Sequence, residues 1–220
     1  MKIVAVVPMK LNNVRLPQKN IKCFTNGKPL CYYILSTLLK IKNIDDVYVY
    51  CSDPEICKYI PEGVKYLQRS ILLDQNSTEM NEILKSFAQE VSADIYVMTH
   101  TTSPFIKRES IENGLESVIS DICDSAFAAK KLQDFLWIDQ KPFNYKPSNI
   151  PRTQDLKPIY VETSGFYIFH RKHILEYNRR IGFNPSIVEV SEIESIDIDT
   201  KEDFDIANSI YNFILKKGCN

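Results

Sequence analysis

Two short segments, one near each end of the chain, carry residue types suited to chemistry on phosphates. Between positions 10 and 20 stand Lys10, Arg15 and Lys19 with Asn12, Asn13 and Asn20, and no acid interrupts them. Arginine offers a planar fork of donors and lysine a mobile point charge. Three cations and three amides therefore make a cradle for a polyphosphate, although the same composition also describes a solvated basic turn. Pro17 stiffens the stretch. Near the carboxyl end, Ser195-Ile-Asp-Ile-Asp-Thr200 alternates. In extended chain Asp197 and Asp199 project to one side while Ile196 and Ile198 project to the other. Two carboxylates on one edge form an oxygen-ligand site for Mg²⁺, which neutralises phosphoryl charge and aligns attacking and leaving oxygens. The alternative is that Asp199 and Thr200 merely begin a helix and Asp197 is solvated. Both segments in one α/β domain point to phosphoryl chemistry.

The elements that must position them follow from periodicity. Ile3–Val7 is a continuous apolar run, the pattern of a strand buried on both faces, and the basic segment is the loop that follows it. Leu30, Ile34 and Leu38 mark a helix. Val47–Cys51, Val64–Leu67, Ile95–Met98, Asp124–Ala129, Gly165–Phe169 and Ile187–Val190 have strand character. A short helix is expected at Pro54–Ile60, another opening at Asn76 with Glu79 three later, and another along Ile111, Leu115, Val118 and Ile119. Thr200 caps a last helix whose apolar face is Phe204, Ala207, Ile210, Tyr211 and Ile214. Strands alternating with helices predict an α/β fold with a doubly wound, mostly parallel sheet. In such sheets ligands bind beyond the carboxyl ends of the strands, which is where the basic loop lies. Residues 131–163 break the rhythm with Pro142, Pro147, Pro151 and Pro158, no glycine and the aromatics Phe135, Trp137, Phe143 and Tyr145. They are expected to form an inserted arm and an oligomer contact within a single domain spanning 1–220.

Composition removes several function classes. The 220 residues carry 27 basic and 28 acidic side chains, a net charge of -1, so bulk charge argues against nucleic acid or a membrane surface as partner. Only six glycines occur, none closer than 17 positions to the next. That excludes the GxGxxG, GxxxxGK[ST] and GxSxG motifs. The six cysteines, at 23, 31, 51, 57, 123 and 219, show no metal-ligand spacing, and Cys31, Cys51 and Cys123 sit in apolar runs that fit buried free thiols. His100, His170 and His173 form no zinc motif, and the last two are expected at the surface at the start of a helix. The pair Lys130-Lys131 has the look of a solvated turn. With no signal-peptide pattern and no apolar stretch long enough to span a bilayer, a cytoplasmic protein is expected.

Four segments, in order, resemble the CMP-sialic acid synthetase family, the acylneuraminate cytidylyltransferases. Pro8-Met-Lys-Leu-Asn-Asn-Val-Arg-Leu-Pro-Gln-Lys-Asn20 is similar to that family's loop PARGGSKRLPGKN. Thr101-Thr-Ser-Pro104 resembles QPTSP. Pro151-Arg-Thr-Gln-Asp-Leu156 with Ser164-Gly-Phe-Tyr167 resembles RRQDLP and NGAIY. Asp197-Ile-Asp-Thr-Lys-Glu-Asp-Phe204 resembles DIDTPEDF. The resemblance implies a nucleotidyltransferase fold, CTP and Mg²⁺, a homodimer whose arm completes the neighbour's acceptor pocket, and transfer of CMP to a nonulosonic sugar acid for a surface glycan. By position it assigns Lys10, Arg15 and Lys19 to the triphosphate and to catalysis, assisted by Asn12, Asn13 and Asn20, with Pro8 and Met9 on the same loop. It assigns Asp197 and Asp199 to Mg²⁺ and to catalysis, and Arg69, Asn76, Ser77 and Thr78 to the nucleotide. It places His100, Thr102, Ser103, Arg152, Gln154, Glu162 and Thr163 toward the acceptor.

The departures fall mostly on the acceptor side. Leu11 and Asn12 stand where the family has paired glycines, Lys10 replaces an arginine and Val14 a lysine. His100 replaces a glutamine, and Phe105-Ile106 replaces Leu-Arg. Tyr160-Val-Glu-Thr163 stands where sialate enzymes often carry Arg-Pro-Asn, so an arginine able to pair with a sugar carboxylate is missing there and Glu162 would repel one. Two further readings follow. One keeps CTP but takes 3-deoxy-octulosonate, a phosphonate or a phosphorylated small molecule as acceptor. The other is a non-catalytic nucleotide-binding protein, against which Lys19, Asp197 and Asp199 argue. His100 is either a base, given an ordinary pKa of about 6.5, or a hydrogen-bonding wall of the pocket.

Overall fold

A computed structural model of the chain describes the backbone of residues 1–218 and the side chains of residues 1–214; Cys219 lies outside the described residues. The strands of the main sheet are β1 (Ile3–Met9), β2 (Asp46–Cys51), β3 (Val64–Gln68), β4 (Ile95–Thr99), β5 (Ser125–Leu132), β8 (Ile159–His170) and β9 (Pro185–Val190). A two-stranded ribbon, β6 (Trp137–Ile138) and β7 (Lys141–Pro142), lies outside that sheet. The helices are α1 (Leu30–Leu38), α2 (Met80–Glu90), α3 (Arg108–Ile119), α4 (Arg171–Tyr177) and α5 (Lys201–Gly218). The sheet order is β3-β2-β1-β4-β8-β5-β9. β8 runs antiparallel to β4 and β5, while the other pairings are parallel.

The apolar run of β1 is central and buried along its whole length. Ile3, Ala5, Val7 and Met9 face α1 and α3 in one core, and Val4 and Val6 face α2 and α4 in the other. This is the doubly wound arrangement that a strand without polar alternation requires. A third, smaller cluster joins Leu16 and Phe24 of the loop after β1 to Ile198 and to Phe204 and Ala207 of α5. It fastens the basic loop to the acidic segment.

Several expectations are corrected. The helix after β3 begins at Met80, and its N-terminal neighbour Glu79 makes no side-chain cap; Asn76 is instead in the loop, bonded to Lys10. Lys130 and Lys131 lie on β5, and Lys130 pairs with Glu192. His173 is buried, not surface-placed, because α4 packs beneath the following turn, with its Nε2 3.6 Å from Asp124. Residues 131–132 and 159–163 belong to β5 and β8, so the excursion from the sheet covers 133–158. The expected face of α5 is buried at Phe204 and Ala207, but Ile214 is exposed. Cys31, Cys51 and Cys123 are buried free thiols as expected, whereas Cys23 and Cys57 are exposed. Thr200 does cap α5: its hydroxyl accepts from the Asp203 N–H while the Asp203 carboxylate takes the Thr200 N–H, a reciprocal cap.

Candidate active site

The loops leaving the carboxyl ends of β1, β3 and β4 open onto one cleft of about 280 Å³. Pro8 and Met9 come from the end of β1, Lys10, Asn13, Lys19 and Asn20 from the loop after it, Arg69, Asn76 and Thr78 from the second loop, and His100 and Thr102 from the third. A second hollow of about 320 Å³ shares Lys10, Asn13, Lys19 and Asn76 with it and adds Arg15 and Asp199. The two together are of the size of small-molecule sites, roughly 300–1,000 Å³.

The basic loop and the acidic segment touch. The Lys19 ammonium donates to the Ile198 carbonyl at 2.8 Å and to Asp199 at 3.1 Å, and the Arg15 guanidinium lies 2.9 Å from the other Asp199 oxygen. The segment is pinned from below, since the Ile198 N–H donates to the Thr102 carbonyl at 2.9 Å. Lys10 donates to the Asp74 carbonyl at 2.7 Å and to Asn76 at 3.2 Å. Asn20 braces the loop, donating to the Lys10 carbonyl and accepting from the Thr101 hydroxyl. Asn13 presents a buried side-chain oxygen that makes no hydrogen bond among the described residues. The missing glycines are explained: positive φ in this loop falls at Gln18 (φ 55) and not at residues 11 or 12. Leu11 instead packs against the core.

The remaining assignments divide. Arg69 is buried and spends one guanidinium nitrogen on Asp74, whose other oxygen takes the Ser52 hydroxyl, while Arg69 Nε has no partner among the described residues. Ser77 and Asn12 are exposed and line neither hollow. Ser103 is buried. Arg152 pairs with Asp155, and Arg152 and Gln154 stand away from both hollows. Thr163 donates to the Ala128 carbonyl. Glu162 borders a neighbouring hollow instead, with Arg179 and Arg180. His100 is held neutral: burial, then the nearby positive charges of Arg180 and Lys19, push its pKa down to about 4. That favours a hydrogen-bonding wall over a base at neutral pH.

A carboxylate pair suits Mg²⁺, which takes one or two carboxylates and leaves other positions to water and substrate phosphates. Asp197 is exposed and accepts from the Ser164 hydroxyl at 3.3 Å. Asp199 is beside it in sequence, with its oxygens on exchangeable cations. The donor set fits such an ion, and no group of three or more His, Cys, Asp or Glu able to hold a metal occurs among the described residues. No helix among the described residues is long and apolar enough to cross a membrane.

Not identified from sequence are Leu73, Gln75, Met80 and Ile83, which line the cleft, Asp74, whose carbonyl accepts from Lys10, and Arg180. Position in the loop after β3 was the available signal for Leu73, Asp74 and Gln75; Met80 and Ile83 lie on α2.

Comparison with known proteins bears on the family and the fold. The sequence model described as Cytidylyltransferase matches residues 4–217. The chain is 25% identical over 215 residues to N-acylneuraminate cytidylyltransferase A of Danio rerio, covering 93% of this chain and 50% of that protein. It therefore spans half the length of that relative. It is 26% identical over 233 residues to pseudaminic acid cytidylyltransferase of Campylobacter jejuni, covering 96% of this chain and 97% of that one. It is 26% identical over 237 residues to CMP-N,N'-diacetyllegionaminic acid synthase of Legionella pneumophila, covering 96% of each. Among solved structures, a CMP:2-keto-3-deoxy-manno-octonic acid synthetase complexed with CTP superposes with a TM-score of 0.73 at 19% identity, covering 96% of this chain and 99% of that chain. A 4-diphosphocytidyl-2C-methyl-D-erythritol synthase from Anaerococcus prevotii gives 0.69 at 15% identity, covering 96% of each. These two carry the fold alone.

Proposed function

From the premise that the chain belongs to the cytidylyltransferase family, we propose that it transfers CMP from CTP to a nonulosonic sugar acid and releases pyrophosphate. The observation that carries this is the meeting of Lys19 and Arg15 with Asp199, about 180 residues apart in sequence, at the mouth of a cleft walled by Lys10, Asn13 and Arg69. In this reading the triphosphate lies along Lys10, Arg15 and Lys19, with Asn13 and Asn20 at its side. The cytosine end lies toward Arg69, Asn76 and Thr78. An acceptor hydroxyl oxygen attacks the α-phosphorus in line. The new O–P bond forms as the bond from that phosphorus to the bridging oxygen breaks. Pyrophosphate leaves with the electron pair, and the hydroxyl proton passes to solvent. Lys19 and Arg15 stabilise the departing charge, and alignment in the cleft supplies the rest. Neutral His100 holds an acceptor hydroxyl by a hydrogen bond.

Asp197 and Asp199 would hold Mg²⁺, which when bound neutralises phosphate charge and lowers repulsion toward the incoming oxygen. Lys19 and Arg15 pair with Asp199. An arriving triphosphate offers both cations a more highly charged partner and frees the carboxylate. The exposed aromatics of the 133–158 excursion, Trp137 and Phe143, suit a contact between two copies of the chain, and the cytoplasm suits the substrates.

The test is pyrophosphate release across the four nucleoside triphosphates and a panel of acceptors. CTP with a sialic, legionaminic or pseudaminic type acid is the expected pair. Turnover only with 3-deoxy-octulosonate, a phosphonate or a phosphorylated small molecule would replace the acceptor, a reading motivated by Glu162 in place of a basic residue. CTP binding with no turnover on any acceptor would overturn catalysis.

A further inference from the structure

A third hollow, of about 370 Å³, is bordered by Glu79, Met80, Asn81, Glu162, Arg179 and Arg180. It shares Met80 with the nucleotide cleft, so the two hollows are neighbours. The Arg180 guanidinium lies flat against Tyr167, 4.0 Å from the ring centroid. Its Nη2 is 3.2 Å from the Tyr167 hydroxyl and 3.4 Å from a Glu162 oxygen. Nε and Nη1 make no hydrogen bond among the described residues, and neither is a sealed, unsatisfied atom. The fork is thus oriented by stacking but its bidentate capacity is unspent. The one acid it meets is met by a single long contact, and that acid is 43% exposed.

The turn that carries Arg180 is braced. The Arg179 N–H donates to the His173 carbonyl at 2.9 Å, and the Gly182 N–H donates to the Ser125 hydroxyl at 2.8 Å. The Phe183 and Asn184 N–H groups donate to the Asp124 carboxylate at 2.7 and 3.0 Å. Gly182 is required there, because a Cβ would run into that carboxylate. A cation held on a braced turn, over a ring and facing an open hollow that adjoins the nucleotide cleft is built to bind an anion.

We propose that this hollow is the acceptor subsite and that Arg180 takes up the carboxylate of the sugar acid. The proposal rests on the cytidylyl-transfer reading above. It supplies from the turn after α4 the basic group that the Tyr160–Thr163 segment lacks. Glu162 then has a defined part: it neutralises Arg180 in the empty pocket and competes with the incoming carboxylate.

The experiment measures pyrophosphate release by the full chain with CTP and either the sugar acid or its methyl ester. Arg180→Ala should raise KM for the acid about 10–100-fold, the worth of a charge-assisted pair, and leave KM for CTP within about twofold of wild type. The wild-type preference for acid over ester should disappear in Arg180→Ala and partly return in Arg180→Lys. This ratio is read within one protein preparation, so it does not depend on how much of a variant is folded. Glu162→Gln should lower KM for the acid. An unchanged acid-to-ester preference in Arg180→Ala, or a parallel rise in KM for CTP, overturns the subsite while cytidylyl transfer stands. Failure of the wild-type protein to use any sugar acid overturns both.

Discussion

Asp199→Asn isolates the charge at the junction of the basic loop and the acidic segment, and it should act in opposite directions on three observables. Arg15 is 69% exposed, so its pair with Asp199 contributes at most about 1 kcal/mol. Lys19 is 11% exposed and loses a formal charge partner while keeping the Ile198 carbonyl and an amide oxygen. The sum is a loss of about 1–2 kcal/mol, or roughly 2–8 °C in melting temperature for a chain of this size. Removing one negative charge about 4 Å from phosphates in water relieves about 1 kcal/mol, so metal-free CTP should bind about fivefold tighter by calorimetry. Turnover with Mg²⁺ should fall by ~100-fold or more, as when a stabiliser of transition-state charge is removed. Weaker metal-free CTP binding would refute the claim that Asp199 restrains Lys19 and Arg15. Turnover within about threefold of wild type would refute its place in the catalytic machinery.

Asp74→Asn should cost about 3–5 kcal/mol in urea unfolding, because it leaves the buried Arg69 guanidinium without its counter-charge; a loss below about 1 kcal/mol would mean the pair is not desolvated. His100 should make the protein acid-sensitive. Its folded pKa of about 4 lies below the unfolded value of about 6.5, so the stability is complete above pH 6.5 and is lost as pH falls toward 4, by about 3 kcal/mol in all. His100→Gln should flatten that limb of a urea-midpoint-versus-pH plot, with His173, also held below its ordinary pKa by burial, supplying what slope remains; superimposable plots would contradict the assignment. Gly165→Ala should cost about 1–3 kcal/mol by overpacking, since its Cβ would sit 2.5 Å from Ile106 Cδ1, and Ile106→Val should recover part of it in the double variant.

What was legible in the sequence is what depends on local pattern. β1 reads as a central strand because both of its faces are buried, and the stripes of α1 and α3 are visible because each meets the sheet along one side. The direction of β8 was not legible, since a strand buried in its second half carries the same apolar run in either orientation. The cation loop and the aspartate pair were visible as residue types, but their contact was not. It depends on Leu16, Phe24, Ile198 and Phe204 packing together, a junction between segments 180 residues apart that no spacing encodes. Asp74 passed unnoticed as a lone acid in Ile-Leu-Leu-Asp because its burial depends on Arg69 and Ser52 folding over it. Arg180 carries no local signal, since its stacking partner Tyr167 stands on a strand 13 residues earlier. His173 was misplaced for a related reason: a short helix with little apolar periodicity gives no sign that the turn after it closes over one face.

These misses have a common physical origin, and it bears on how the site works. The cations of the basic loop are recognisable by their own charge, whereas Asp74 and Arg180 acquire their roles from the partners that neutralise or stack on them. Lys19 and Arg15 share Asp199, Arg69 pairs with Asp74, and Arg180 with Glu162. These acids offset most of the cationic charge of the cleft and reduce the self-repulsion that unpaired cations would impose on the fold. The pairs differ in what a ligand can do to them. Arg69 and Asp74 are sealed from water, so separating them is costly and they serve as wall. Asp199 and Glu162 are 35% and 43% exposed and can give up their cations to a triphosphate and a sugar acid at little desolvation cost. Exposure of the acid, more than the number of cations, separates the pairs that hold the cleft together from those that open to substrate.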